Sequence, residues 1–160
     1  MRAPSLVRMD AVRRLLQRSR LSVRDSQIHG RGVFAKTAIR AGQHVLDYGG
    51  ELIPWQEAAR RYEESDAAAG HTFFFDVGDG LVIDGGQGGN ASRWINHSCE
   101  PNVEVELDGH RIVVLAKDDI ARGDELLLDY HLELDETDDA NAYACRCGAG
   151  SCRATMVAPS

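Results

Sequence analysis

The chain has 160 residues, 43% of them hydrophobic and 27% charged, and its 18 basic and 25 acidic side chains leave a formal net charge of −7. That is the size and balance of one globular domain with a core of its own, and the acidic sum disfavours phosphate binding, so no direct nucleic-acid partner is expected. No apolar run is long enough to span a membrane, and Met1-Arg2-Ala3-Pro4 leads into arginines rather than an apolar signal core, so neither a membrane nor a secretory route is expected.

Residues 10–20 place Val12, Leu15 and Leu16 on one side and Arg13, Arg14, Arg18 and Arg20 on the other, the pattern of a basic amphipathic helix. Strands are expected at 21–24 and 33–35, separated by the turn His29-Gly30-Arg31-Gly32, and at 44–48, ending in Gly49-Gly50-Glu51. Pro54 suits a helix start, and residues 55–69 have helical composition up to Gly70. Residues 72–77 and 81–84 read as a hairpin across Gly78-Asp79-Gly80. The glycine-rich stretch 85–89 lacks the Lys-Ser/Thr of a phosphate loop and reads as a plain connection. Residues 103–107 alternate, Asp108-Gly109 turns, 111–116 return, and 125–130 form a last strand. Many short strands, tight turns and few helices predict a mainly β (α+β) domain. Residues 133–139 hold five carboxylates and read as a solvated linker.

The four cysteines fall unevenly: Cys99 stands alone, and Cys145, Cys147 and Cys152 close the tail. One spacer between Cys145 and Cys147 strains a mutual disulfide but lets both thiolates face one metal. Gly148 and Gly150 allow the chain to curl back so that Cys152 joins them. Three ligands leave tetrahedral zinc one short. Cys99 supplies a fourth thiolate; His131 as fourth ligand, or four free thiols, are the alternatives.

Cys99 lies in Arg93-Trp94-Ile95-Asn96-His97-Ser98-Cys99-Glu100-Pro101-Asn102. This stretch resembles the Arg-Phe-x-Asn-His-Ser-Cys-x-Pro-Asn motif of the SET-domain protein-lysine methyltransferases. Further motifs occur in the family's order: Gly30-Arg31-Gly32, Tyr48-Gly49-Gly50-Glu51, Glu125-Leu126-Leu127-Leu128-Asp129-Tyr130, and a tail similar to the post-SET Cys-x-Cys-x4-Cys. The glycine motif alone is weak; the ordered set, over residues 21 to 157, is specific.

The resemblance implies small antiparallel sheets, a C-terminal segment threaded through a preceding loop as a pseudoknot, and a short zinc-binding tail. It divides the chain into an N-terminal extension at 1–20, a catalytic SET domain at 21–132, and an acidic linker with the tail at 133–160. It implies S-adenosylmethionine as methyl donor, S-adenosylhomocysteine as product, and a lysine ε-amine of a basic protein or peptide, such as a histone, as acceptor. Gly30, Arg31, Gly32, Arg93, Asn96, His97 and Tyr130 would then hold the cofactor. Tyr130 and Tyr48 would be the catalytic tyrosines, and Cys99, Cys145, Cys147 and Cys152 would bind Zn²⁺.

Two substrate-channel positions depart from the family. Leu128 stands where many members carry Phe or Tyr, and Phe73 stands near a common channel tyrosine. Either the channel is wider and drier, favouring multiple methylation, or another aromatic fills the gap. The same departures motivate a second reading, a catalytically weak, zinc-stabilised peptide-binding module. A monomer is expected, in a bacterial cytoplasm or, if the source is eukaryotic, a nucleus. The carboxylates of Glu104, Glu106 and residues 133–139 are candidates for steering a basic peptide.

Overall fold

The computed structural model describes residues 20–65, 73–134, 136 and 138–159. The helix expected at 10–20 lies, except for Arg20, outside the described residues. Among the described residues, ten short strands pair into three small sheets, accompanied by one α-helix at Trp55–Glu64.

β1 (Leu21–Asp25) and β2 (Arg31–Ala35) make an antiparallel ribbon, with Leu21 opposite Ala35. Val33 and Ala35 of β2 turn inward, as period-two alternation requires. β3 (His44–Asp47) pairs antiparallel with β9 (Arg111–Ala116), which pairs with β8 (Val103–Asp108) across the Gly109-His110 loop. Gly109 sits at φ 61°, a conformation that favours glycine in so tight a hairpin. Ile112, Val114 and Ala116 alternate into the core from β9.

The third sheet runs β4 (Glu51–Pro54), β6 (Leu81–Asp84), β5 (Phe74–Gly78). The sequence pattern marks Gly49-Gly50-Glu51 as a strand end, yet the chain continues as β4. Ile53 points inward onto Val82, and α1 (Trp55–Glu64) covers both through Ala58. Helix and strand thus form a small core of their own, with Phe74 packed beside it. α1 ends at Glu64 with Ser65 as cap, earlier than composition suggests; residues 66–72 lie outside the described set.

The larger core gathers Val33, Ile39, Val103, Val114, Ile120 and Leu126, all 2% exposed or less. Each such side chain contributes about 1.5–3 kcal/mol by leaving water. Leu126 introduces the feature that organises the molecule. β10 (Leu127–Leu128) lies between β7 (Asn96–His97) and β8, parallel to both. β7 and β8 are consecutive in the chain, so their connection, residues 98–102, closes around a strand that arrives later. Ser98 N–H donates to Leu128 O, and Asn102 N–H to Leu127 O, both at 3.0 Å. The Asn102 side chain donates to Glu125 O and accepts from Leu127 N–H, each at 2.8 Å. This is the threaded arrangement expected of the fold, and it makes the five-stranded sheet β3-β9-β8-β10-β7 mixed rather than antiparallel. Regular strand is confined to two residues of the expected 125–130, because Asn102 replaces a neighbouring backbone there.

Past the thread, the tail folds back. Leu132 bridges Val157 in parallel, and Ala144 bridges Thr155 antiparallel.

Candidate active site

Threading brings five distant segments together. Asn96 and His97 sit buried on β7, at 8% and 5% exposure. The Asn96 amide nitrogen donates to His29 O at 3.1 Å, Arg31 O at 3.0 Å and Glu125 Oε1 at 2.8 Å. Three acceptors around one nitrogen fix the amide orientation, so Oδ1 turns the other way. Gly30 holds φ 46° in the turn that delivers those carbonyls. Gly32 is glycine for a different reason: a Cβ there would fall on the Glu125 carboxylate.

His97 Nδ1 accepts the Tyr130 N–H at 3.1 Å. Its proton therefore belongs on Nε2, which faces Cys99 Sγ at 3.5 Å. Burial holds the imidazole below its ordinary pKa, against the pull of Asp129, so His97 acts as a neutral bridge.

The Tyr130 ring meets His97 edge-on at 5.2 Å, and its hydroxyl donates to Ile95 O at 2.6 Å. The Tyr48 hydroxyl donates to Phe73 O at 3.0 Å, with its ring 5.2 Å from that of Phe75. Desolvation pushes both phenols above their ordinary pKa. Both stay protonated at neutral pH. They orient groups through fixed hydroxyls, and neither serves as a base.

Phe73, Trp94, Arg93 and Arg31 stack beside them. The Phe73 and Trp94 rings are 5.4 Å apart, edge to face. The Arg93 and Arg31 guanidinium carbons lie 4.7 Å and 5.3 Å from the Trp94 ring centre, and that of Arg93 lies 5.6 Å from Phe73. Such contacts hold cations over an aromatic face and keep the wall rigid. Tyr48, Gly49, Arg31, Arg93 and Trp94 line an open cleft of about 1120 Å³. Leu128 is buried in the main core at 8% exposure, its backbone register set by His97 and Val103. Glu104 and Glu106 are exposed on the face of β8 opposite Val105, which packs on the core. They stand apart from the cleft wall.

The four cysteine sulfurs lie within 4.8 Å of one another, with Cys99 and Cys145 at 3.8 Å. A tetrahedron with Zn–S of about 2.3 Å has S···S edges of about 3.8 Å, so the spacing fits zinc. Burial pushes the Cys145 thiol up to about 12. Burial also opposes ionisation of Cys147, but the backbone N–H groups of Cys99 and Ala149, with the Cys145 and Ser98 side chains, bring it down to about 6. Crowded thiols resist ionising together, a cost that a dication removes. His131, the alternative fourth ligand, instead faces Asp129 Oδ2 at 3.0 Å.

Arg153 was not a sequence candidate. Its two Nη atoms reach the Asp129 carboxylate at 2.8 Å each, and its N–H donates to Cys99 Sγ at 3.3 Å. It ties the thiol cluster to the residue before Tyr130. Glu125 and Asn102 stand within recognised motifs, but only the threaded geometry gives them partners.

Comparison with known proteins agrees with this geometry. The SET domain family matches residues 30–131. The histone-lysine N-methyltransferase trithorax of Drosophila virilis is 38% identical over 132 residues, covering 80% of this chain and 3% of the relative. Histone-lysine N-methyltransferase 2B of Homo sapiens is 41% identical, covering 80% and 5%. Among solved structures, the Chaetomium thermophilum Polycomb Repressive Complex 2 superposes with a TM-score of 0.66 at 31% identity, covering 72% of this chain and 16% of that one. The same complex in an autoinhibited conformation bound to S-adenosylmethionine gives 0.63 at 32% identity, covering 69% and 15%. The chain thus spans a small part of each of these proteins. The family match across residues 30–131, with a threaded strand that brings Asn96, His97 and Tyr130 together and a four-thiol cluster that adds the tail beyond it, places this chain in the SET-domain family.

Proposed function

We propose that this chain is an S-adenosylmethionine-dependent protein-lysine N-methyltransferase whose acceptor is a lysine ε-amine of a basic protein, a histone being the leading class. The observation that carries the reading is the convergence on β10. Its insertion sets Tyr130 beside His97, Asn96 beside the glycine turn, and Cys99 beside the tail. The names of the relatives, histone-lysine N-methyltransferases in eukaryotes, support the acceptor class.

The residues present fit the cofactor. The backbone around Arg31 and Gly32, the outward Asn96 Oδ1, His97, Arg93 and Tyr130 would hold it, and the bound sulfonium supplies an electrophilic methyl group. The chain's part is alignment and exclusion of water, which are the main resources for an in-line displacement. The acceptor amine must arrive neutral, and an apolar, aromatic channel lowers its pKa. Tyr48 and Tyr130 border that channel in our reading, with Phe73 and Leu128 as wall. Their hydroxyls are fixed by Phe73 O and Ile95 O and do not collect the proton. Its exit is to solvent.

Zinc on Cys99, Cys145, Cys147 and Cys152 would hold residues 133–160 as a tail beside the SET domain at 21–132, with 1–20 as an extension. The chain is read as a monomer, and its mass in solution tests that. A histone acceptor places it in a nucleus, and another basic protein permits a bacterial cytoplasm.

The deciding experiment incubates the full chain with labelled S-adenosylmethionine and a core-histone mixture, beside Tyr130→Phe, and maps modified lysines by mass spectrometry. Label on lysine from the wild type, lost in the variant, is expected. Cofactor binding without transfer to any protein offered sinks the enzyme reading in favour of a binding module.

A further inference from the structure

We infer that Glu125 is a positioning residue for the cofactor site, acting through the Asn96 side chain and the glycine turn. The inference rests on the methyltransferase reading and goes beyond it, because Glu125 itself is placed beneath the turn rather than at the cofactor.

Its carboxylate is held by both oxygens. Oε1 accepts the Asn96 amide at 2.8 Å, and Oε2 accepts the Ser26 hydroxyl at 2.9 Å. Ser26 Oγ in turn accepts the Ile28 N–H at 3.0 Å, and the Ser26 N–H donates to Gly30 O at 2.8 Å. One side chain from the threaded segment therefore holds the Ser26 end of the 26–32 turn directly and its Arg31 end through the Asn96 amide. Gly32 leaves the passage through which the carboxylate reaches Asn96. The backbone of Glu125 is fixed as well, by its bridge to Phe34 and by the Asn102 amide. The carboxylate has little freedom to move away.

The consequence falls on Asn96. With Glu125 present, the amide nitrogen sees three oxygens, and a flip would set Oδ1 against all of them. Without Glu125, two of the three acceptors are carbonyls of the turn that Glu125 also holds in place. The Asn96 orientation and the turn therefore loosen together. Oδ1 has no donor among the described residues, and it is presented to a ligand only while the nitrogen is pinned. A ligand with an ammonium near Asn96 feels this loss; one lacking it does not.

The test compares S-adenosylhomocysteine with 5′-methylthioadenosine, which lacks the amino-acid moiety. Dissociation constants are measured by calorimetry on the zinc-loaded full chain for wild type, E125A, E125Q and S26A. E125A is expected to weaken S-adenosylhomocysteine about tenfold and methylthioadenosine less than about twofold. E125Q keeps an oxygen for Asn96 and offers its amide to Ser26, so it stays within about twofold for both ligands. S26A, which keeps the carboxylate but frees one oxygen, weakens S-adenosylhomocysteine about threefold. Equal weakening of both ligands makes Glu125 a general scaffold residue and overturns the inference, as does unchanged binding of S-adenosylhomocysteine. Should E125A unfold at the assay temperature, S26A carries the same comparison, with methylthioadenosine expected to stay within about twofold. A wild type that binds neither ligand overturns the methyltransferase reading itself, and this inference with it.

Discussion

At the scale of single residues, the two tyrosines do different work despite similar environments. Phe73 O accepts Tyr48 but also the Gly85 N–H at 2.8 Å. Tyr48→Phe therefore leaves that carbonyl partnered and should cost under about 1 kcal/mol of stability. Tyr130 spans more: its hydroxyl holds Ile95 O, its N–H holds His97, and its ring packs on that imidazole. Tyr130→Phe keeps the last two and removes the first. Turnover of a lysine peptide should fall at least about tenfold, while the cofactor dissociation constant stays within about threefold. Kinetics beside calorimetry measure both, and a cofactor affinity that falls as far as turnover would move Tyr130 out of the transfer step. Sequence made the candidate residues legible here because they are polar and crowded into short motifs. It was silent on the partners of Asn102, Glu125 and Arg153, which lie 23 to 99 residues away in the chain.

Among the elements, β10 and β3 carry separate loads. Leu126, fully buried at 0% exposure, leads into the thread, and Leu126→Ala should cost about 2–5 kcal/mol in chemical denaturation. A loss under about 1 kcal/mol would mean that the surrounding core collapses onto the vacancy. β3 is an edge of the five-stranded sheet, pinned through Asp47. Burial raises the Asp47 carboxyl pKa, but hydrogen bonds from His44 and Arg111 and their charges outweigh it, holding the group below its ordinary 3.8. A depressed carboxylate stabilises the fold above the unfolded-state pKa and loses that contribution as pH falls through the folded value. Below about pH 4 the wild type should therefore lose urea resistance faster than Asp47→Asn. Parallel slopes between pH 5 and 2 would remove Asp47 from the acid limb.

Elements were legible to different degrees for physical reasons. Alternation announced β8, and the Asp108-Gly109 pair announced its turn and with it the return strand β9. β4 was masked by Gly49, Gly50 and Pro54, residues that signal turns, while Ile53 and its contacts with Val82 and Ala58 decide the outcome. Glu51 pairs with Arg61, which also binds the buried Asp84 at 2.7 Å. β7 is two residues long and exists only because β10 lies beside it. No local pattern encodes such a strand. The threaded topology came from resemblance alone, since periodicity reports faces and not which strand passes through which loop.

For the whole molecule, the thiol cluster and the proposed cofactor site share parts. Cys99 belongs to the 98–102 loop that closes around β10, and its sulfur meets His97 Nε2 and Arg153 N–H. Arg153 clamps Asp129 with two 2.8 Å bonds, and Asp129 precedes Tyr130. His131 and Ala154 take left-handed φ values of 45° and 60° on the two strands of chain that meet there, a strained geometry that needs surrounding contacts to persist. Zinc on four thiolates would supply those contacts, so removing it should loosen the loop around β10 as well as the tail. Cys99→Ser, or chelation of the wild type, should lower the melting temperature and raise the S-adenosylhomocysteine dissociation constant at least about tenfold. Arg153→Ala separates the two effects: it keeps four thiols and bound zinc but costs about 2 kcal/mol through the lost ion pair, and it should weaken the cofactor less than Cys99→Ser does. Metal analysis, thermal melts and calorimetry on the three proteins decide the matter. If zinc-free protein melts earlier yet binds the cofactor as tightly as before, the metal stabilises the tail alone and Cys99 has no part in holding the site.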